Sequence, residues 1–101
     1  MNFVVEFSPH AREQARAAAT WWTENRPLAR MLFASELRTT VALLGRIPGI
    51  GTGYPHAHIQ GIRRVLMART ALHLYYTTDD AAHRVDIIAL WGALRGNGPR
   101  F

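Results

Sequence analysis

Five arginines gather between residues 61 and 96: Arg63, Arg64, Arg69, Arg84 and Arg95. Each guanidinium is a planar fork of donors that suits the oxygens of a phosphate or a carboxylate. No acid separates Arg63, Arg64 and Arg69. His73, Tyr75, Tyr76 and His83 stand beside them and are the groups here able to hold or move a proton. Two chemistries fit that set. One is recognition of an anionic partner; the other is proton transfer at a phosphate held by guanidinium groups.

Other tempting residues read better as structure. His56 and His58 lie two apart in a loop rich in Gly and Pro, with no cysteine in the chain and no nearby carboxylate, so a metal site is not expected. Gly49-Ile50-Gly51-Thr52-Gly53 follows a helix pattern and lacks the Lys-Ser/Thr of a phosphate-binding loop. His73, on a strand beside Tyr75, is more often a packed residue than a catalyst. Arg12, Arg16 and Arg30 read as solvated helix positions, each of small energetic weight. No cofactor is expected.

The elements that position these residues are legible in outline. Asn2 to Phe7 reads as a first strand with Phe3, Val5 and Phe7 on one face. Ser8-Pro9 starts a helix: Ser8 caps it and Pro9 takes the first turn, where its missing N–H costs nothing. That helix runs to about Glu24, with Ala11, Ala15, Ala18 and Trp22 along one side. Neighbours in a helix lie about 100° apart, which puts Trp22 in the core stripe and Trp21 at its edge.

Asn25-Arg26-Pro27 breaks the helix and begins a second, whose stripe is Ala29, Phe33, Leu37, Val41 and Leu44, widened by Leu43 and Ile47. Gly45 and Pro48 end it, and residues 48 to 60 form a loop by composition. Three β-rich runs follow as an antiparallel meander. On the middle strand Leu72, Leu74 and Tyr76 oppose Ala71, His73 and Tyr75. On the last, Val85, Ile87, Ala89 and Trp91 oppose Arg84, Asp86, Ile88 and Leu90, so Trp91 is expected in the core. Asp79-Asp80 reads as a turn, and residues from Gly92 on as an irregular tail. The order is βααβββ: an α+β domain over residues 1–101, a helical hairpin packed on a small curved antiparallel sheet.

The totals agree. A chain of 101 residues, 49% hydrophobic, is one domain with enough apolar surface for a core. Without cysteine there are no disulfides and no thiol chemistry. Twelve arginines and no lysine against 7 acids leave a net charge of +5. A GC-rich genome explains the missing lysine; it does not explain the clustering at 63, 64 and 69. An anionic partner does. The amino end carries no export signal and no apolar run approaches a membrane span, so a cytoplasmic protein is expected.

At these residues the chain resembles the RelE/ParE toxin superfamily. Carrying the resemblance are Ser8-Pro9 at a helix start, Trp21-Trp22 with Asn25-Arg26-Pro27 at the helix break, and the Arg63-Arg64 strand. His73-Leu74-Tyr75-Tyr76 and the closing run Ile88-Ala89-Leu90-Trp91-Gly92-Ala93-Leu94-Arg95-Gly96 complete it. The likeness spans nearly the whole chain. It implies a bacterial type II toxin, held inactive in a hetero-oligomer with a cognate antitoxin. The ParE-like branch inhibits DNA gyrase by trapping it on cleaved DNA; the RelE-like branch cuts messenger RNA in the ribosome. The long hairpin, the Trp pair and the carboxyl-terminal run are similar to the ParE side.

Metal-free RNA cleavage needs a base for the 2′-hydroxyl, an acid for the leaving oxygen and cations on the phosphate. His73 and Tyr75 with Arg63, Arg64, Arg84 and Arg95 would be that set. RelE-like members generally use lysines too, and a Tyr or His near the carboxyl end. Here no lysine exists, and after Trp91 the only aromatic residue is Phe101. The expectation is therefore gyrase inhibition, not catalysis, with ribosome-dependent cleavage as the alternative. Trp21, Arg63 and Arg64 are the candidate antitoxin contacts, and Arg95, Arg100 and Phe101 the candidate target contacts. A nucleic-acid-binding domain unrelated to toxins stays open; it would bind plain DNA or RNA with strong salt dependence.

Overall fold

Ser8 is the first fixed point of the chain. Its Oγ accepts the Ala11 N–H at 3.0 Å, with Pro9 in the first turn, so the first helix begins where its orphan donors are satisfied. The computed structural model describes residues 2–101. Strand β1 is Val4–Phe7, helix α1 Pro9–Asn25 and helix α2 Leu32–Arg46; β2 is Thr52–Gly53, β3 Arg63–Met67, β4 Leu72–Asp79 and β5 Arg84–Gly92. The α+β class and the βααβββ order read from the sequence are found, with β2 as a two-residue addition in the long loop.

The sheet has five strands in the order β1-β5-β4-β3-β2. β3, β4 and β5 form the expected antiparallel meander. β1 instead runs parallel to β5, with Val4 opposite Arg84 and Phe7 opposite Ile87, so the sheet is mixed. The helical hairpin carries the chain across between the first strand and the meander, which lets β1 lie beside the last strand.

Both helices cover one face. Ala11, Phe33, Leu44, Met67, Leu74, Tyr76, Val85, Ile87 and Leu90 form the main core there, with Trp22, Leu37 and Val41 packed against it. The second helix departs from the expected start. Pro27–Ala29 is a short 3₁₀ turn and α2 begins at Leu32, which leaves Ala29 exposed and outside the stripe. Ile47 lies just beyond α2 at 50% exposure and does not widen the stripe.

A β-bulge changes which residues share a face. Tyr75 pairs with Ala89 but Tyr76 pairs with Ile87, so Ile88 is the extra residue on β5. Val85 and Ile87 point to the helices. Past the bulge the alternation is inverted: Leu90 joins the main core, while Ala89 and Trp91 lie on the opposite face with Ile62 and Tyr75. Trp91 is buried in a core cluster as expected, but on the helix-free face, apart from Val85 and Ile87.

Candidate functional site

The helix-free face of the sheet is built from the side chains that oppose one another across β3, β4 and β5. Register places Arg64 opposite Tyr75, Leu66 opposite His73, and His73 opposite Trp91. Tyr54 reaches over from the loop, fixed by its N–H to the Ile62 carbonyl at 2.8 Å. Its ring meets Tyr75 edge-on at 5.0 Å, and the Arg64 guanidinium sits 5.3 Å from its centroid. His73 lies 6.0 Å from Tyr75 between ring centroids. Burial, with the Arg64 charge second, lowers the His73 pKa, so its imidazole favours the neutral form.

Phe101 closes this cluster. Its ring stands edge-on to His56 at 5.1 Å, to Tyr75 at 5.5 Å and to Tyr54 at 6.2 Å. Tyr75 is left 2% exposed. Arg95 and Arg100 share the Trp91 ring, at 4.2 and 5.9 Å from its centroid. The Trp91 indole donates to the Asn97 carbonyl at 2.9 Å.

Of the residues singled out by sequence, Arg64, His73 and Tyr75 share this patch, with Arg95, Arg100 and Phe101 on the segment beside it. Arg63 belongs to the other face, as adjacent strand residues must, and donates to the Gly51 carbonyl at 2.7 Å. Arg84 sits at the far end of the sheet. It donates to Asp86 at 2.8 Å and lies 3.6 Å from Asp79. The hydrogen bond to Asp86, then the nearby carboxylate charges, raises its pKa. Its charge is answered within the fold. Arg69 falls in the β3–β4 connection, where Glu36 accepts its backbone N–H at 2.8 Å.

His56 holds its own loop together, because its Nδ1 accepts the N–H groups of His58 and Ile59, each at 3.2 Å. Among the described residues no three His, Cys, Asp or Glu side chains group as metal ligands. No helix among them is long and apolar enough to cross a membrane.

Two apolar grooves open on the helical side. One, about 600 Å³, runs between α1 and the end of β5, lined by Ala18, Trp21, Trp22, Leu90, Leu94 and Arg95 among others. Trp21 is 47% and Leu94 90% exposed there. The second, about 480 Å³, lies between the two helices: Ala15, Ala19, Phe33, Leu37 and Val41 form its floor, and Arg12, Arg16 and Arg38 its rim. Arg16 pairs with Glu13 at 3.1 Å; among the described residues no such pair is found for Arg12 or Arg38. Sequence reading passes over this rim as solvated helix face. The Arg12–Arg16 spacing beside Ala15 and Ala19 is the available signal. It also passes over Gln14, whose side chain joins α1 to Leu90 and Arg100.

No protein-family model matches the chain, and no curated protein matches it in sequence. Solved structures do match in fold. A chain of the chromosomal ParDE toxin–antitoxin system of P. aeruginosa superposes with a TM-score of 0.71 at 13% identity, covering 89% of this chain and 95% of that one. A chain of a RelBE toxin–antitoxin complex from Mycobacterium tuberculosis gives 0.65 at 19% identity, covering 91% and 99%. The intact E. coli RelBE complex gives 0.62 at 15% identity, covering 92% and 99%. The helical hairpin on one face of a five-stranded sheet is thus a fold that this chain shares with chains of these toxin–antitoxin systems.

Proposed function

We propose that this chain is the toxin of a bacterial type II toxin–antitoxin module, a ParE-like inhibitor of DNA gyrase neutralised in the cytoplasm by a cognate antitoxin. The full-length fold match to proteins from toxin–antitoxin systems is the observation that carries the reading. The sequence resemblance to the ParE side supports the choice of branch. So does the engagement of the groups that cleavage would need. Tyr75 lies under Phe101 and Tyr54, Arg84 is paired with Asp86 and Asp79, and Arg63 faces away from His73.

The antitoxin is an acidic segment that orders on binding, with apolar side chains in the grooves and carboxylates on the surrounding arginines. Trp21 is its anchor. Arg63 is exposed and, among the described residues, donates to Gly51 through one nitrogen, which leaves donors for a carboxylate; Arg64, half-buried over Tyr54, lies on the opposite face. Arg95, Arg100 and Phe101 are the target contacts in this reading.

The alternative, ribosome-dependent cleavage of messenger RNA, draws on one specific observation. Arg64, His73 and Tyr75 do share a face, and His73 favours the neutral form that a general base requires. The test is induction of the chain alone in a bacterial host, with labelled precursors of DNA and protein followed over the first minutes. DNA synthesis should stop first while protein synthesis continues. An immediate stop in protein synthesis would select the ribonuclease.

A further inference from the structure

Residues 93–101 leave the end of β5 and fold back on the rest of the chain. Ala93 N–H donates to the Ala71 carbonyl at 2.8 Å and Arg95 N–H to Gly92 at 3.3 Å. Beyond Arg95, among the described residues, no backbone-to-backbone hydrogen bond fastens the segment. Side chains do that instead. His10 Nε2 lies 2.7 Å from the Arg100 carbonyl, Gln14 Nε2 donates to the same oxygen at 3.1 Å, and the Trp91 indole donates to Asn97 at 2.9 Å. The two bonds to Arg100 are exposed to water. Arg95 and Arg100 lie over the Trp91 ring, and Phe101 is set among His56, Tyr54 and Tyr75.

A segment fastened this way is separable from the fold beneath it. Local opening has its own free energy, set by the contacts broken, and beyond Arg95 those broken here, among the described residues, are side-chain contacts with no backbone ladder. None of the residues of the main core belongs to it. The rings it covers have their own support: Tyr54 is fixed to Ile62, and Tyr75 lies inside the β3–β4–β5 pairing. They stay in place when it leaves.

We propose that residues 93–101 form a releasable lid on the helix-free face, latched by insertion of Phe101 into the ring of His56, Tyr54 and Tyr75. Closed, the lid buries Tyr75 and seats Phe101 against the chain's own rings. Open, it frees Phe101 and uncovers Tyr75, which shares its face with Arg64 and His73. A contact that needs Phe101 and closure of the lid exclude each other. Any partner that uses either Tyr75 or Phe101 must therefore bind the open form, and its apparent affinity falls by the fraction of molecules that are closed.

The experiment reads exchange of the Trp91 indole N–H by nuclear magnetic resonance in the full chain, with reaction of Tyr75 towards tetranitromethane as a second readout. Neither depends on gyrase, ribosome or antitoxin, so the lid and the toxin reading fail separately. Phe101→Ala should raise Trp91 indole exchange at least about tenfold and open Tyr75 to nitration, with the Leu74 amide in the core unchanged. Phe101→Tyr, which keeps a ring in the latch, should stay within about twofold of the parent chain. His10→Ala removes one exposed bond to Arg100 and should shift exchange in the same direction, which keeps the test decisive if Phe101→Ala folds poorly. Unchanged indole protection in both Phe101→Ala and His10→Ala, or a rise matched at Leu74, would overturn the lid.

Discussion

The Tyr76 hydroxyl accepts the Gly51 N–H at 2.9 Å and, in turn, donates to the Pro48 carbonyl at 2.7 Å. A core tyrosine of β4 thereby fixes the loop that leaves α2. Burial raises its pKa, so the proton it donates stays in place. The loop comes so close that a Cβ at Gly51 would lie 2.7 Å from that oxygen and 2.8 Å from the Arg64 carbonyl. Gly51→Ala should therefore cost about 1–3 kcal/mol by overpacking. Tyr76→Phe should cost a similar amount, about 1–3 kcal/mol, by leaving Gly51 N–H without its partner. Urea unfolding of both variants, with unchanged m-value, checks this.

Glu36 ties α2 to the β3–β4 turn. Its carboxylate accepts the N–H groups of Arg69 and Thr70, at 2.8 and 2.9 Å, and the Thr70 hydroxyl at 2.6 Å. Glu36→Ala should destabilise by about 1–3 kcal/mol, because the half-buried donors at Thr70 lose their acceptor. Hydrogen exchange at Arg69 and Thr70 should rise more than at Leu74. Equal rises at all three positions would count against a local tie.

His73 sets a pH dependence with a defined sign. Burial and the Arg64 charge hold its folded-state pKa below the ordinary 6.5, so the unfolded chain takes up the proton first as pH falls. The stability that neutral His73 supports is complete above about pH 6.5 and is lost as pH drops below it towards the folded-state value. His73→Gln should flatten that part of the pH–stability curve. Arg64→Gln should raise the His73 pKa, measured by nuclear magnetic resonance, while leaving it below the ordinary value, since burial is the larger cause.

These features are unequally legible in the sequence. Ser8-Pro9, the Ala11 to Trp22 stripe and the pairing of Leu74 with Tyr76 on one face follow from local chemistry and a constant period, and all three are found. Simple alternation sets Ala89 and Trp91 on the wrong face, because a bulged residue carries no mark in the sequence and counting through Ile88 inverts everything after it. The parallel pairing of β1 with β5 joins positions as distant in the chain as Val4 and Arg84, and no local pattern encodes it. The arginine group dissolves for geometric reasons. Arg63 and Arg64 alternate across the sheet, Arg84 finds acids two residues ahead and across the strand, and Arg95 lies on Trp91. Phe101 sits in a tail with no period at all, so its place beside His56 and Tyr75 has no sequence signal.

An acidic antitoxin segment on the helical side leads to a graded expectation. Trp21→Ala should weaken its binding at least about tenfold, as loss of an exposed aromatic anchor does. Arg12→Glu with Arg38→Glu, at the groove rim, should slow association and reduce its salt dependence. Surface binding with purified antitoxin at two ionic strengths separates the two effects. Unchanged affinity in the Trp21 variant would remove the groove between α1 and β5 from the interface.

Gyrase inhibition is the central claim, and purified components test it most directly. DNA supercoiling by gyrase is followed as the protein is titrated in, with the products run under conditions that reveal cleaved DNA. Supercoiling should stop, cleaved DNA held by gyrase should accumulate, and antitoxin added first should prevent both. Unimpaired supercoiling at a large excess of protein, with messenger RNA cut on translating ribosomes by the same preparation, would contradict it.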